Sequence, residues 1–147
     1  MTDRRKLARR KERLAQVREQ EANVLLSLAD RAVRDKETEI QRAIQTHEQS
    51  EQAFFAQEGD PAGAWMEVLE RSRHRHRNQL EELQDALEEL KKDAEEKRQS
   101  HRQTLEALRS SEKVTEKVVA SWKKEQLLKE AKELDEVAGN QQRNREP

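Results

Sequence analysis

The placement of the helix-breaking residues constrains this chain more than any other feature. Among 147 residues there are three glycines and two prolines, and Gly59, Pro61 and Gly63 fall together in Glu58-Gly59-Asp60-Pro61-Ala62-Gly63. The others, Gly139 and Pro147, lie near the C-terminal end. Two long stretches, about 3–57 and 61–138, are therefore free to be continuous helix. The connection at 58–63 is short enough to force its flanking helices into an antiparallel pair. Asp60 and Pro61 read as N-cap and first residue of the second helix. Gly139-Asn140 reads as its stop, leaving 139–147 as a flexible tail.

Composition decides what such helices can do. Charged residues make up 41% of the chain and apolar residues 32%, against roughly 25% and 45–50% in an ordinary domain. That apolar share cannot fill a round core, but it can fill a narrow seam between two helices. Disorder is the alternative for so polar a chain, and periodicity separates the two. In the second stretch, Met66, Arg73, Leu80, Leu87, Ala94, His101, Leu108, Thr115 and Trp122 recur every seven residues. A second row, Leu69, His76, Leu83, Leu90, Lys97, Thr104, Ser111 and Val118, does the same. The first stretch is looser, with Leu7, Leu14, Val17, Val24, Leu25, Leu28, Ala32, Val33, Ile40, Ala43, Ile44 and Phe54, and its register shifts near 28–33. The expected fold is all-α, a long antiparallel two-helix coiled-coil hairpin whose second helix is the longer, forming one domain over 1–138.

Folding the chain at its turn brings together residues whose numbers add to about 122. Leu14 then faces Leu108, Leu28 faces Ala94, Val33 faces Leu90, and Glu21 nears His101. At ~1.5 Å per residue the hairpin is on the order of 85 Å long. Roughly 122–138 has no partner within the chain and carries Trp122, Leu127, Leu128, Leu134, Val137 and Ala138. An apolar stripe left alone on a helix calls for another protein.

Several chemistries are disfavoured by spacing. Arg73-His74-Arg75-His76-Arg77 resembles a metal or phosphate site, but on a helix His74 and His76 point about 200° apart and cannot share a metal. There is no HExxH motif, Gly-rich phosphate loop or nucleophile elbow. The acids of 81–96 form a solvated face rather than a buried catalytic pair. No catalytic, cofactor or metal site is expected, and the chain is read as a non-enzyme. With no Cys, no apolar run near the ~20 residues of a membrane span and no N-terminal signal, it is expected to be cytoplasmic and not inserted in a membrane.

The ends and the turn carry the remaining signals. Residues 1–18 hold eight Lys/Arg against Asp3 and Glu12, while 81–96 hold eight acids against Lys91 and Lys92. Arg4-Arg5-Lys6-Leu7-Ala8-Arg9-Arg10-Lys11 is long enough for a nucleic-acid arm, but the net charge is −1 and the helix folds back instead of continuing into a parallel zipper. A basic face for protein contact is the preferred reading. Beside the turn, Phe54, Phe55, Trp65, Met66, Val68 and Leu69 gather both Phe and one of the two Trp. They serve as a hydrophobic plug, as a docking patch, or as both with different members.

The basic N-terminus, the helical hairpin, and a C-terminal helix with Ser121-Trp122-Lys123-Lys124-Glu125 and Lys129-Glu130-Ala131-Lys132-Glu133-Leu134-Asp135-Glu136-Val137-Ala138 resemble the FliJ/YscO/HrpO family. These are the central-stalk proteins of type III secretion and flagellar export ATPases. The resemblance implies a stalk that binds a hexameric secretion ATPase and links it to the cytoplasmic ring of the export gate, at the inner-membrane apparatus, and that in some members handles export chaperones. Carried onto this sequence, it implies that Trp122, Lys123, Lys124, Leu127, Leu128, Leu134 and Asp135 face the ATPase. Phe54, Phe55, Trp65, Met66 and Leu69 become export-gate candidates by position. A self-associating coiled-coil scaffold or export chaperone and a nucleic-acid-binding hairpin are the competing classes. If residues 1–18 contacted nucleic acid, binding would depend steeply on salt. Charge reversal at Arg9, Arg10 and Lys11 is expected to leave nucleic-acid affinity unchanged in a filter-binding titration; a large drop would reinstate that class.

Overall fold

The computed structural model describes residues 2–56 and 63–145. Two α-helices make up the fold, α1 (Thr2–Ala56, 55 residues) and α2 (Gly63–Arg145, 83 residues), and the described residues contain no strand. The two helices form a hairpin in which α2 is the longer. The predicted turn, with its Asp60-Pro61 cap, lies outside the described residues. Contacts divide the chain into two compact units, one of residues 1–21 with 102–147 and one of residues 22–101.

In the first unit the seam is small and polar. Ala8 and Ala15 are the buried positions of α1, with Arg5, Glu12 and Glu19 half-buried beside them. They face Leu108, Ser111, Thr115, Val118 and Trp122 of α2, all half-buried. The Thr115 hydroxyl lies 2.9 Å from the Ser111 carbonyl oxygen one turn back and 3.4 Å from the Ala8 carbonyl oxygen across the seam. Its single proton serves the nearer acceptor first. Contact of a side-chain oxygen with the opposite backbone is possible only because alanine keeps α1 close.

The second unit continues the same spacing with larger side chains. Ala22 and Ala29 are buried, as is Ile40, and Leu26, Val33, His47 and Phe54 are half-buried. Across from them lie Leu69 and Ala94, both buried, with Leu80, Leu83, Leu87 and Leu90 half-buried. Val33 and Leu90 both point into this seam, in keeping with the predicted pairing. Arg98 joins the helices by donating to Asp30 at 3.3 Å while also donating to Glu95 of its own helix at 2.7 Å.

The structure corrects the predicted seam of α1. Seven-residue spacing runs without a shift through Ala8, Ala15, Ala22 and Ala29, and through Arg5, Glu12, Glu19, Leu26, Val33, Ile40, His47 and Phe54. The large aliphatics expected inside are outside: Leu14 is 50% and Leu28 58% exposed, and Leu7, Val17, Val24 and Leu25 are similar. Leu14 therefore does not occupy the seam as predicted, nor does Leu28; Ala15 and Ala29, one residue further on, are the buried positions. The apparent shift near 28–33 arose from joining an outer stripe to an inner one. In α2 both predicted rows hold from Leu69 and Leu80 onward, but Met66 and Arg73 are exposed and Trp65 and Ser72 take the inner positions.

The predicted stop at Gly139-Asn140 is also corrected. α2 continues to Arg145, and Gly139 is helical with φ on the ordinary side. A Cβ placed on Gly139 meets no atom within 4 Å. With neither a left-handed residue nor a following proline close by, nothing local forces the chain out of its helix.

An alanine seam makes a sharp contrast between neighbours. Ala15→Leu is expected to overpack the seam and destabilise the protein by about 1–3 kcal/mol. Leu14→Ala, one residue away, is expected to stay within about 0.5 kcal/mol. Urea unfolding followed by circular dichroism measures both, and equal losses would show that the seam has been assigned to the wrong face.

Candidate functional site

The residues beside the turn belong to the second unit and divide into two groups. Phe54 stacks on Trp65 with ring centroids 5.0 Å apart and planes inclined by 18°. Phe55 meets the same indole edge-on at 5.4 Å, so Trp65 is held from two sides by consecutive residues of α1. Leu69 is buried below them. Phe54, Trp65 and Leu69 thus form the plug, and pairing of this kind adds to simple area burial. Phe55, Met66 and Val68 remain about half exposed and form an apolar surface. The plug is therefore formed by some of the predicted members, and the others are left at the surface.

Two to three turns further from the tip lies a polar layer that sequence reading only half located. His76 occupies the seam as predicted, but its partner is His47, whose ring is parallel to it within 4° at a centroid distance of 3.9 Å. His47 Nε2 lies 2.9 Å from Glu51 Oε1, and Arg73 Nε donates to the same oxygen at 2.8 Å. Desolvation, reinforced by the facing His47 ring, lowers the pKa of His76 below its ordinary 6.5. The hydrogen bond from Arg73 is the main cause holding Glu51 below its ordinary 4.5. The signal that could have found His47 was its place seven residues beyond Ile40 in the inner row.

No group of three or more His, Cys, Asp or Glu positioned to hold a metal ion occurs among the described residues. His74 faces away from the stacked pair and sits 3.4 Å from the Asn78 amide nitrogen on its own helix.

The C-terminal candidates belong to the first unit and also separate. Trp122 is half-buried, with the Arg5 guanidinium carbon 3.6 Å from its ring centroid. This stacked cation closes the seam from the α1 side. Arg5 Nε is buried there without a hydrogen-bond partner, so the indole face is the compensation its guanidinium receives on that side. Arg4, Arg5, Lys117, Val118, Ser121, Trp122 and Glu125 together line a small pocket of about 130 Å³. Lys123 borders a shallow groove with Glu12 and Glu116. Trp122 is therefore part of the helix pair, whereas the sequence reading placed it on the unpartnered stretch.

The unpartnered stretch begins after Gln126. From Leu127 to Arg145 every residue is exposed, with Leu127 at 66% and Leu134 at 69%. Lys124, Leu128 and Asp135 are exposed as well. The stripe does not prolong the seam. Continuing the sevenfold spacing from Trp122 and Glu125 leads to Lys129 and Lys132, whereas Leu127 lies about 140° around the helix from Trp122 at ~100° per residue. The chain thus ends its internal contact in charge and opens a new apolar face on another side. No helix of the described residues is long and apolar enough to cross a membrane.

Compared with known proteins, the chain matches no protein-family pattern, no characterised protein and no solved structure.

His76 and Glu51 make stability respond to acid with one sign. His76 has a lowered folded pKa, so the folded state binds fewer protons and its contribution is complete above 6.5 and lost as pH falls through the folded value. Glu51 contributes above 4.5 and loses its contribution as pH falls further. Urea midpoints are expected to decline in two steps on acidification, and His76→Leu should abolish the upper step while keeping the lower one. A variant that retains the upper step would assign it elsewhere.

Proposed function

We propose that this chain is a non-enzymatic stalk or adaptor that works by docking other proteins onto its helices. The observation that carries this reading is the stretch after Gln126, a helix of exposed Leu127, Leu128, Leu134 and Val137 turned away from the seam that precedes it. Such a stripe exposed to water on a regular helix is stabilised by a partner that buries it. The flanking Lys124, Lys129, Glu133 and Asp135 give the contact polar edges of mixed sign. Mixed edges favour register and reversible engagement over permanent locking.

More specifically, the resemblance to FliJ/YscO/HrpO proteins supports a role as the stalk of a type III secretion ATPase, promoting its assembly or turnover and linking it to the export gate. In this reading the ATPase contacts Lys123, Lys124, Leu127, Leu128, Leu134 and Asp135, while Trp122 positions the stretch through Arg5. A narrow helix pair in a sixfold ring touches its subunits unequally, which biases the site that turns over. The exposed Phe55 and Met66 beside the turn supply the gate-facing surface, with Phe54, Trp65 and Leu69 as its support. Export chaperones are further partners, and the workplace is the cytoplasmic side of the inner-membrane apparatus.

ATP hydrolysis by a purified type III secretion ATPase, titrated with this protein, tests the reading. Turnover or hexamer assembly is expected to rise with the full chain and to lose that rise when the chain is ended after Gln126. This cut leaves the Arg5–Trp122 contact in place, so the loss reports on the exposed stretch alone. Absence of both binding and stimulation by the full chain would sink the stalk assignment.

A further inference from the structure

The first unit carries two exposed apolar stripes with the same spacing. On α1, Leu7, Leu14 and Val17 lie at intervals of seven and three residues, and on α2 Leu127, Leu134 and Val137 repeat those intervals. All six are about half exposed or more. At ~100° per residue the α1 stripe centres roughly 120° around the helix from the line of Ala8 and Ala15. Each stripe therefore lies outside the line of contact between the two helices, with Leu14 at its margin, where it borders a groove with Thr104 and Ala107 of α2. Intervals of seven and three are the a and d positions of a coiled-coil seam.

We propose that these stripes are the two halves of one interface, and that α2 of one copy of this chain docks through residues 123–137, in parallel, on residues 3–17 of α1 of a second copy. The polar positions within the stripes carry the argument. The d position between Leu7 and Leu14 is Arg10, and its counterpart between Leu127 and Leu134 is Glu130. One layer earlier, Asp3 corresponds to Lys123. Parallel alignment thus places Leu on Leu twice, Val on Val once, and opposite charges on each other at both polar layers. At the edge, Arg18 and Glu133 occupy the e and g positions that pair across such a seam. Antiparallel alignment of the same stripes sets Arg10 against Leu134 and Glu130 against Leu14, which leaves both charges without a partner.

The net charge of the two segments agrees. Residues 3–17 carry seven Lys/Arg against two acids, whereas 123–137 carry five acids against four lysines. A lipid surface accounts for the basic stripe alone, but not for a second stripe of matching spacing and opposite charge. The contact is not available within one chain, because α2 is continuous from Trp122 through Leu134 and cannot fold back on the α1 residues that Trp122 already adjoins. Each copy offers one stripe of each kind, so two copies can exchange them reciprocally or add head-to-tail, and in either case association grows with concentration. It does not rest on the ATPase reading, but it covers the same stretch of α2 and so competes with any partner that binds there.

Sedimentation velocity on the full chain at rising concentration tests the proposal, with circular dichroism confirming unchanged helicity. The wild-type chain is expected to associate. Arg10→Glu and Glu130→Arg should each weaken association by roughly tenfold, and the double variant should recover most of the loss. Leu14→Glu and Leu134→Glu should each be monomeric alone and form a 1:1 heterodimer when mixed, since one intact stripe of each kind remains. A wild-type chain that stays monomeric overturns the proposal. So does association that survives Leu14→Glu, which would mean that the α2 stripe pairs with itself, or a Leu14→Glu effect confined to binding of anionic vesicles.

Discussion

The closeness allowed by alanine at the inner face of α1 sets the terms for the rest of the molecule. With Ala8, Ala15, Ala22 and Ala29 at one row of the seam, α2 approaches near enough for Thr115 to lie against the opposite backbone. A small inner row leaves the bulky aliphatics of the same helix facing outward. The arrangement inverts the usual economy of a two-helix pair, where the largest apolar groups meet in the middle. No large side chain is fully buried among the described residues. The pair is held by many partial contacts, and its outer surface retains apolar area that contact with other proteins can use.

Polar layers then give the seam its register where the alanines cannot. A row of alanines slides by one heptad at little cost, because each layer resembles the next. Paired histidines, the shared Glu51 oxygen and the Arg98–Asp30 bond occur at single heights and differ from one another, so a shifted register separates each from its partner. Arg5 over Trp122 does the same within the first unit. Exposed ion pairs contribute little stability individually. Their value here is discrimination between alignments, the role best attested for polar groups in coiled coils.

The sequence made the fold legible because glycine and proline punctuate it so sparsely and because α2 repeats every seven residues from Leu69 to Trp122. Both rows of α2 were readable for that reason, and the alternation of plug and surface beside the turn was readable from its aromatics. The inner face of α1 was not. Hydropathy gives Leu14 more weight than Ala15, so a search for the strongest apolar row finds the stripe that faces outward. Four alanines in strict heptad spacing were the available signal, overlooked because each is weak by itself. Trp122 was misplaced for a related reason: an aromatic near an unpartnered stretch reads as part of it, and pairing by height alone sets it just past the start of α1, whereas the long Arg5 side chain reaches its ring. The end of α2 escaped because Gly139 stops a helix only where the chain is obliged to turn.

Exposed stripes on a protein with so little core have a consequence for how its contacts are regulated. When two partners require the same residues of α2, their occupancies follow concentration and relative affinity, with no conformational switch needed. A contact between copies weakens on dilution, whereas a contact with a fixed assembly of high local concentration does not. Free chains then shelter Leu127, Leu134 and Val137 in one another, and release them wherever a partner presents a better complement. The opposed charges at Arg10 and Glu130 suit this arrangement. They specify the alignment, and because they weaken with salt they keep the association reversible. An all-leucine stripe would bind more tightly and exchange more slowly, the less useful property wherever one contact has to be left to make another.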